Sequence, residues 1–369
     1  MKIAFDHQIF TWQRYGGVSR YYNSLAQELK NLNQNPHVFA GIYQNNFLSK
    51  LPKDLVSGVK MDSFLPKMAN IINPLNHYWV DRQIHKWNPD VIHETYYSNF
   101  FNNLKNTARI TTVYDMIHEL FPHSFSKIDR SALWKKKTLN RVDHIICISQ
   151  NTKKDLIEIL NIVEEKISVV HLGIDIDFFS NEGLNFDILF NKPYLLYVGH
   201  RSKYKNFDGL IRAFSSSSRL KSDFDIIAFG GGIFSKSEKT LIKSLGLNDS
   251  QIRQFDGDDH LLAFLYKNAR AFIYPSLYEG FGIPPLEAMA SNCPVIVSDR
   301  SSIPEIVGNA GVYFNPDYID DMIVTIEDLV YSEAKIDQLK LLGKERLKFF
   351  SKLKTAQATL EVYKGLINR

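Results

Sequence analysis

Two glutamates eight residues apart flank a glycine-containing loop at the start of a predicted helix. Glu279 and Glu287 enclose Gly-Phe-Gly-Ile-Pro-Pro-Leu, and the loop follows a predicted strand that ends at Tyr274. The prolines place the helix start near Pro285, because proline is accepted in the first helical turn. Glycines let backbone N–H groups approach a ligand, and the helix start adds unpaired donors and the positive end of the dipole. The segment predicts an anion site between two carboxylates that accept hydrogen bonds from hydroxyls.

A basic loop supplies a second group of reactive residue types. It follows the predicted strand 194–198, which leads into Gly199, and it carries Arg201, Lys203 and Lys205. A phosphate group that departs in a reaction carries negative charge, and fixed cations stabilise that charge without proton transfer. Arginine offers a planar fork and lysine a point charge, so Arg201 and Lys205 suit this task. A purely structural explanation exists for each segment. The basic loop could be a solvated surface loop, and the segment 279–287 could be a tight turn whose glutamates complement the helix dipole.

The segment Glu279-Gly-Phe-Gly-Ile-Pro-Pro-Leu-Glu287-Ala-Met-Ala resembles the E-x7-E signature of the retaining glycosyltransferases of family 4. That family has the GT-B fold, an α/β architecture of two doubly wound Rossmann-like domains that face each other across a cleft. Its first glutamate contacts the transferred sugar, its second holds the nucleotide ribose, and the backbone between them approaches the diphosphate. The resemblance extends over nearly the whole chain. It implies those roles for Glu279 and Glu287, and a catalytic pair of cations at Arg201 and Lys205.

The resemblance also implies a set of residues that approach the donor mainly through their backbone. Most lie in turns where a missing side chain permits close approach. The triplet 230–232 is one such turn; it departs from the dinucleotide fingerprint G-x-G-x-x-G, because Ser235 stands where the last glycine belongs. The implied donor-binding residues are Phe281, Gly282, Ile283, Gly199, Gly230 and Gly17.

Three N-terminal features are expected to line the acceptor side of the site. A glycine pair before a predicted helix resembles the family's first glycine-rich turn, which implies Gly16 and Arg20 near the acceptor. Another strand leads into Tyr114-Asp115, where many family members carry His-Asp. The resemblance therefore implies a catalytic role for Asp115, with Tyr114 in place of the imidazole. His93 matches a loop that faces the acceptor, although a lone histidine at a strand end is more often structural.

These likenesses imply a hexosyltransferase that moves a sugar from a nucleoside diphosphate sugar to a hydroxyl group. The motifs Tyr204-Lys205-Asn206 and Tyr114-Asp115-Met116 resemble the branch that builds bacterial surface polysaccharides such as lipopolysaccharide, often with mannose-type donors. The implied acceptor is a glycan or a lipid-linked glycan. Two alternatives stay open. One is a GT-B sugar-nucleotide epimerase, which needs acid and base groups over the sugar. The other is a non-catalytic sugar-nucleotide or glycan-binding protein, which would lack part of the set Glu279, Glu287, Arg201 and Lys205.

Composition argues against several other classes of protein. The chain has 369 residues and a formal net charge of +4, too small an excess for a protein built mainly to neutralise nucleic-acid phosphates. Its two cysteines, Cys147 and Cys293, lie far apart in apolar segments, which argues against a disulfide framework. The N-terminus lacks the apolar run of a signal peptide, and no stretch of about 18 apolar residues occurs. We therefore expect a cytoplasmic protein that does not span a membrane.

A basic segment in the N-terminal half suggests peripheral contact with the inner face of a membrane. Its cations alternate with apolar residues, a pattern that also fits a solvated helix face. The segment comprises Lys127, Arg130, Lys135, Lys136, Lys137 and Arg141, with Leu133, Trp134 and Leu139 between them.

The candidate site residues must be positioned by regular secondary structure. Short apolar runs alternate with helical patterns along the chain, which predicts βαβ units with parallel sheets. The candidate strands are residues 2–5, 37–42, 91–93, 110–114, 144–149 and 167–171 in a first series and 194–198, 225–229, 253–255, 271–274, 294–297 and 312–314 in a second. The expected domains are an acceptor-side domain (1–175), a linker (176–193), a nucleotide-sugar-binding domain (194–345) and a C-terminal helix (346–369) that packs back toward the N-terminal domain.

No metal or cofactor is expected. The run Asp256-Gly257-Asp258-Asp259 offers two carboxylates in a D-x-D pattern, but it precedes the apolar run 261–266 and is better explained as a loop with a helix cap. Cysteine, histidine and acidic residues nowhere show the spacing of metal ligands. The nucleoside diphosphate sugar acts as a co-substrate, and the oligomeric state is left open.

Overall fold

Two parallel sheets organise the chain, one in each of two units. The computed structural model describes residues 1–62, 68–98, 104–180 and 190–368. One unit contains Met1–Gly173 together with the C-terminal segment from Lys352, and the other contains Ile174–Ser351. Each unit has its own apolar core, so each satisfies the requirements of an independent domain.

The first sheet has seven strands, and every neighbouring pair is parallel. Its order is β3-β2-β1-β4-β5-β6-β7. The central strands are buried on both faces, as expected for a parallel sheet that helices cover on both sides. The strands are β1 (Lys2–Phe5), β2 (Asn35–Tyr43), β3 (Val56–Lys60), β4 (Val91–Glu94), β5 (Ala108–Val113), β6 (His144–Cys147) and β7 (Ile167–Val169).

Several helices that connect these strands bury an apolar face. In α2 the residues Tyr22, Leu25 and Leu29 fall at helical spacing and are all buried in the core of the first unit. Ser149 caps α6 by accepting the N–H of Thr152 at 3.0 Å. The helices are α1 (Gln8–Trp12), α2 (Gly17–Asn31), α3 (Ala69–Trp87), α4 (Ile117–Leu120), α5 (Ser131–Arg141) and α6 (Gln150–Leu160).

The second sheet has six parallel strands in the order β10-β9-β8-β11-β12-β13. Its strands are β8 (Tyr194–Val198), β9 (Asp225–Phe229), β10 (Ile252–Phe255), β11 (Ala271–Tyr274), β12 (Val295–Ser298) and β13 (Gly311–Phe314). Its helices are α7 (Ile176–Ser180), α8 (Phe207–Ser216), α9 (Ser218–Asp223), α10 (Lys236–Ser244), α11 (Asp259–Asn268), α12 (Ile283–Ala290), α13 (Ile303–Val307), α14 (Ile319–Val330) and α15 (Glu333–Leu347). Asp258 caps α11 by accepting the N–H groups of His260 and Leu261, as expected for the acidic run.

The last helix, α16 (Lys352–Ile367), returns to the first unit. Its buried residues Ala356, Leu360 and Tyr363 join the core there, and Thr355 donates a hydrogen bond to the carbonyl of His171 at 2.9 Å. The first unit is therefore built from both ends of the chain.

All twelve predicted strands are present, with ends that differ by at most two residues. Sequence reasoning missed β3, a half-exposed edge strand whose pattern includes Ser57 and Gly58 and lacks a continuous apolar run. The predicted linker 176–193 begins in the structure with α7, whose Phe179 is buried and accepts a hydrogen bond from Ser291; residues 181–189 lie outside the described part. The expected helix 346–369 starts at Lys352, because α15 extends to Leu347.

Truncation of Leu360 tests the assignment of α16 to the first unit. Leu360 is 6% exposed and Leu353, on the same helix, is 43% exposed. All four tryptophans lie in the first unit, so their fluorescence reports its unfolding. We expect Leu360→Ala to lower the free energy of unfolding by about 2 to 4 kcal/mol and Leu353→Ala by less than about 0.5 kcal/mol. A tryptophan transition in urea that is the same in Leu360→Ala as in the unmodified protein would contradict this assignment.

Candidate functional site

The candidate site residues of the second unit lie at the carboxyl ends of its central strands. β8 and β11 are neighbours there, and the strand order reverses between them, which is where ligands bind in doubly wound sheets. The loop after β8 carries Gly199, Arg201 and Lys205, and the loop after β11 carries Glu279. The topology therefore brings together two segments whose residues Lys205 and Glu279 are 74 positions apart in the sequence.

The loop before α12 is held in place by its own backbone and by two serines. Gly282 precedes the helix at φ 123°, a conformation that favours glycine. The N–H of Glu279 donates to Ser301 Oγ at 2.8 Å. The hydroxyl of Ser302 lies 2.8 Å from the carbonyl oxygen of Glu279 and 2.7 Å from that of Phe281. The helix begins at Ile283, so the loop presents a fixed helix N-terminus next to Glu279.

Glu279 forms an ion pair with Lys205 across the two loops. Lys205 Nζ lies 2.6 Å from Glu279 Oε1, and the two side chains are 16% and 9% exposed. Lys205 also lies 5.6 Å from the ring centre of Tyr274, and the Tyr274 hydroxyl is hydrogen-bonded to Glu279. Burial and the Glu279 charge raise the pKa of Tyr274 well above its ordinary value, so this hydroxyl stays protonated. The pair places one fixed positive and one fixed negative charge beside the start of α12.

Glu287 lies one turn inside α12 and is 9% exposed. Its Oε2 accepts a hydrogen bond from the hydroxyl of Tyr266 in α11 at 3.3 Å. Burial, together with the Glu287 charge, raises the pKa of Tyr266 well above its ordinary value. The two glutamates of the motif are thus both largely buried, and each accepts a hydrogen bond from a buried tyrosine.

Arg201 has contacts that differ from those expected of a leaving-group cation. Its Nε pairs with Glu238 Oε1 at 2.6 Å, and its Nη atoms donate to the carbonyls of Gly230 and Gly232, each at 2.7 Å. The side chain is only 4% exposed. Glu238 neutralises the Arg201 charge, and the guanidinium fork binds the glycine turn after β9. Arg201 thus binds a loop in this structure, whereas Lys205 pairs with the motif glutamate. The expected role of Arg201 at the leaving phosphate stays a prediction.

The glycine turns of the second unit do come close to each other. Gly230, Gly231 and Gly232 all have φ between 72° and 83°, and Gly199 has φ 133°, so glycine is favoured at each of them. A Cβ at Gly231 would lie 2.8 Å from Arg201 Nη1 and 3.2 Å from the Gly199 carbonyl oxygen. Side chains at these positions would displace Arg201 or strain the backbone.

The glycine pair of the first unit stands at the start of α2. Gly16 is the N-cap residue, and Gly17 is the first helical residue with open space around its Cα. A Cβ at Gly16 would meet the Gln13 side chain, whose Oε1 accepts the N–H of Ser19 at 3.2 Å. Arg20 is exposed on the first turns of α2, 5.0 Å from the Phe47 ring centre.

Tyr114 and Asp115 follow β5 and have different surroundings. The Tyr114 ring packs edge-on to Tyr21 at 5.9 Å between ring centres, and burial raises its pKa well above the ordinary value. Asp115 is half-buried; its Oδ1 accepts the N–H of Ile117 at 3.0 Å, which starts α4. Position 114 thus belongs to an aromatic cluster, and the Asp115 carboxylate caps the turn that follows.

His93, an expected acceptor-side residue, is a core residue. It is 0% exposed, and its two ring nitrogens lie 2.6 Å from the Tyr363 hydroxyl and 2.9 Å from Thr112 Oγ1. Burial lowers the pKa of His93 to about 3, so the ring is neutral. Its hydrogen bonds fix α16 and β5 to β4, and a part for His93 in acceptor binding stays a prediction.

The basic segment around α5 is also partly internal. Lys135 is 1% exposed and donates to Glu119 Oε2 at 2.7 Å and to the Asp115 carbonyl at 2.8 Å. Arg141 pairs with the buried Glu94, and Leu139 is fully buried. The exposed cations of the segment are Lys127, Arg130, Lys136 and Lys137.

Two family models match the chain. One, described as "Glycosyl transferases group 1", matches residues 185–346, and the other, "Glycosyltransferase Family 4", matches residues 15–178. The chain belongs to the family 4 glycosyltransferases. Together the two models cover every described strand except β1, and the fold is GT-B.

Relatives and solved structures match this chain over different lengths. "O-antigen chain mannosyltransferase RfbU" of Salmonella typhimurium is 33% identical over 56% of this chain and 56% of its own length. "O-antigen chain mannosyltransferase B" of Escherichia coli is 25% identical over 85% of this chain and 83% of its own. The crystal structure of Anabaena Alr3699/HepE in complex with UDP-glucose has a TM-score of 0.73 at 17% identity and covers 99% of this chain and 100% of that one. At that identity the structural match shows the fold.

Three residues that contact the candidate site residues or their loop were not picked out from sequence. Glu238, which pairs with Arg201, also forms a capping box with Ser235, and the S-x-x-E spacing is a signal that could have found it. Ser302 precedes Ile-Pro-Glu at the start of α13, a pattern typical of a helix start. Tyr266 stands in an apolar run and gives no sequence signal, because its partner lies 21 residues away on another helix.

Within the described ranges, histidine, cysteine and acidic side chains form no group of three or more that could hold a metal ion. Among the helices of residues 1–62, 68–98, 104–180 and 190–368, none is long and apolar enough to cross a bilayer.

Lys205 and Lys203 form a matched pair for testing the site of this family 4 protein. Both lie in one short 3₁₀ turn, but Lys205 contacts Glu279 whereas Lys203 is exposed. We expect Lys205→Ala to slow glycosyl transfer by about 100-fold or more, the scale seen when one preorganised charge stabiliser is removed. Lys203→Ala should change the rate less than about twofold. Steady-state kinetics check both, and a large effect at Lys203 with none at Lys205 would contradict the site geometry.

Proposed function

We propose that this protein is a retaining hexosyltransferase of polysaccharide or O-antigen-like biosynthesis. It transfers a hexose, with mannose as the favoured sugar, from a nucleoside diphosphate sugar to a hydroxyl of a glycan or lipid-linked glycan. The two O-antigen chain mannosyltransferases among its relatives support the pathway and the sugar. A GT-B structure bound to UDP-glucose supports the nucleoside diphosphate sugar as donor.

The observation that carries this proposal is the contact of Lys205 with Glu279 at the N-terminus of α12. A helix start binds phosphate through unpaired N–H groups, and Lys205 adds a positive charge beside it. Glu279 accepts hydrogen bonds from sugar hydroxyls, and Glu287, one turn inside the helix, is the acceptor for ribose hydroxyls. Diphosphate, sugar and ribose each have a chemically matched group within this one segment.

The reaction proceeds on one face of the sugar. The bond between the anomeric carbon and the diphosphate oxygen breaks, the acceptor oxygen bonds to the same face of that carbon, and the acceptor proton moves to the leaving phosphate oxygen. Lys205 and the start of α12 stabilise the charge on the diphosphate, and Glu279 holds the sugar as it becomes oxocarbenium-like. Arg201 contributes by shaping the turn at Gly230, and the reaction uses neither a metal ion nor a cofactor.

The proposed place of action is the cytoplasmic face of the membrane, where a lipid-linked acceptor would be reached by peripheral contact. The exposed cations Lys127, Arg130, Lys136 and Lys137 support this, because they lie beside exposed apolar residues. Those residues include Ile128, 87% exposed, and Leu133, 48% exposed. Such a surface attracts anionic lipid and offers apolar side chains to the interface.

Product analysis tests the proposed function. The protein is incubated with GDP-mannose or another sugar nucleotide and a glycan acceptor, and the anomeric configuration of the product is read by NMR. We expect retention of the donor configuration, and we expect turnover to persist in EDTA because Lys205 and the helix start supply the positive charge. An inverted product, or activity lost in EDTA and restored by Mn²⁺ or Mg²⁺, would contradict the mechanism. A donor epimer formed without acceptor would favour the epimerase alternative.

Substitution of Glu279 and substitution of Glu287 should change different kinetic and binding constants. Glu287 binds the ribose, far from the reacting carbon, so Glu287→Gln should raise the donor KM and weaken binding of the free nucleoside diphosphate. Glu279 contacts the sugar most strongly near the transition state, so Glu279→Gln should lower kcat roughly ten- to a hundredfold and leave free diphosphate binding nearly unchanged. Calorimetric titration and steady-state kinetics measure both. Equal loss of diphosphate affinity in the two variants would refute this division of roles.

A further inference from the structure

Tyr266 has a buried hydroxyl for which packing alone gives no reason. The residue lies on α11 and is 0% exposed, with its ring edge-on to Phe272 at 5.3 Å and to Phe179 at 6.3 Å between ring centres. A phenylalanine would fill the same space. A hydroxyl taken out of water costs free energy unless it is hydrogen-bonded. Its partner is therefore the feature that explains a tyrosine at this position.

That partner is the carboxylate of Glu287. The Tyr266 hydroxyl donates to Glu287 Oε2 at 3.3 Å, and the bond joins α11 to α12. Because both residues are buried, the ring of Tyr266 is fixed and its hydroxyl has a fixed direction. At neutral pH the hydroxyl is protonated, since burial and the nearby carboxylate raise the pKa of Tyr266. It can therefore orient the carboxylate as a donor.

We propose that Tyr266 is a positioning residue for nucleotide binding, which acts by holding the Glu287 carboxylate in the orientation that accepts the ribose hydroxyls. The inference rests on the proposed function, which assigns Glu287 to the ribose. A carboxylate on a flexible glutamate loses rotamer freedom when it binds a ligand, and a side chain already held in place loses less. Tyr266 thus raises nucleotide affinity without contact with the nucleotide.

A single-hydroxyl deletion tests this with a matched control. Tyr266→Phe keeps the ring and removes only the bond to Glu287. Tyr194→Phe is the control, because Tyr194 is 1% exposed in the same unit and its hydroxyl donates to the carbonyl of Leu265 at 2.7 Å. Both variants lose one buried hydrogen bond, so both should lower the melting temperature to a similar degree. Only Tyr266→Phe also loses a contact with Glu287.

The readout is calorimetric titration with free GDP and free UDP, together with donor kinetics. We expect Tyr266→Phe to raise the Kd of the diphosphate that binds, and the donor KM, about three- to tenfold, with kcat changed less than twofold. Tyr194→Phe should leave Kd and KM within twofold of the unmodified protein. An equal rise of Kd in both variants, or unchanged Kd in Tyr266→Phe, would overturn the proposal.

A double-mutant cycle tests whether Tyr266 acts through Glu287. In a Glu287→Ala background there is no carboxylate to hold, so adding Tyr266→Phe should change the diphosphate Kd less than twofold. A further three- to tenfold loss in that background would overturn the proposal. If Glu287→Ala itself leaves the Kd unchanged, the ribose assignment of the proposed function fails. If Glu287→Ala weakens binding and Tyr266→Phe does not, only the positioning role fails.

Discussion

The ion pair between Lys205 and Glu279 is the constraint on which the arrangement of the second unit depends. Its two partners come from loops after β8 and β11, which the parallel sheet order places side by side. Removing two charges from water costs several kcal/mol per ion, and only close contact with added hydrogen bonds offsets that cost. The Tyr274 hydroxyl supplies such a bond to Glu279, and the serines fix the backbone that carries this carboxylate.

A second ion pair serves a different purpose only a few residues away. Arg201, paired with Glu238, holds the glycine turn after β9, because its guanidinium N–H groups donate hydrogen bonds to the carbonyls of that turn. Three successive glycines with positive φ have little conformational preference of their own, so an outside group has to fix them. The neighbouring cations of one basic loop are thus divided between two tasks: one fixes backbone, and the other provides charge at the site.

Much of the fold could be predicted from the sequence, because parallel strands are continuous apolar runs and their helices have apolar faces at regular spacing. β3 was not predicted, because this edge strand is half-exposed and its apolar residues form no continuous run. At the site, the two glutamates and Lys205 follow from local motifs, since each motif includes the turn that presents it. The contacts of His93 and Arg201 could not be predicted, because their partners, Tyr363 and Glu238, are 270 and 37 residues away and depend on the tertiary fold.

Because α16 belongs to the first unit, the core of that unit is completed late in the synthesis of this chain. His93 is made early, but Tyr363, which bonds to its ring, follows 270 residues later in α16. At a synthesis rate of about 5 to 20 residues per second, roughly 14 to 54 seconds separate the two residues on the ribosome. During that interval the core of the first unit lacks Ala356, Leu360 and Tyr363. The core of the first unit is therefore completed only after the strands of the second sheet have been synthesised.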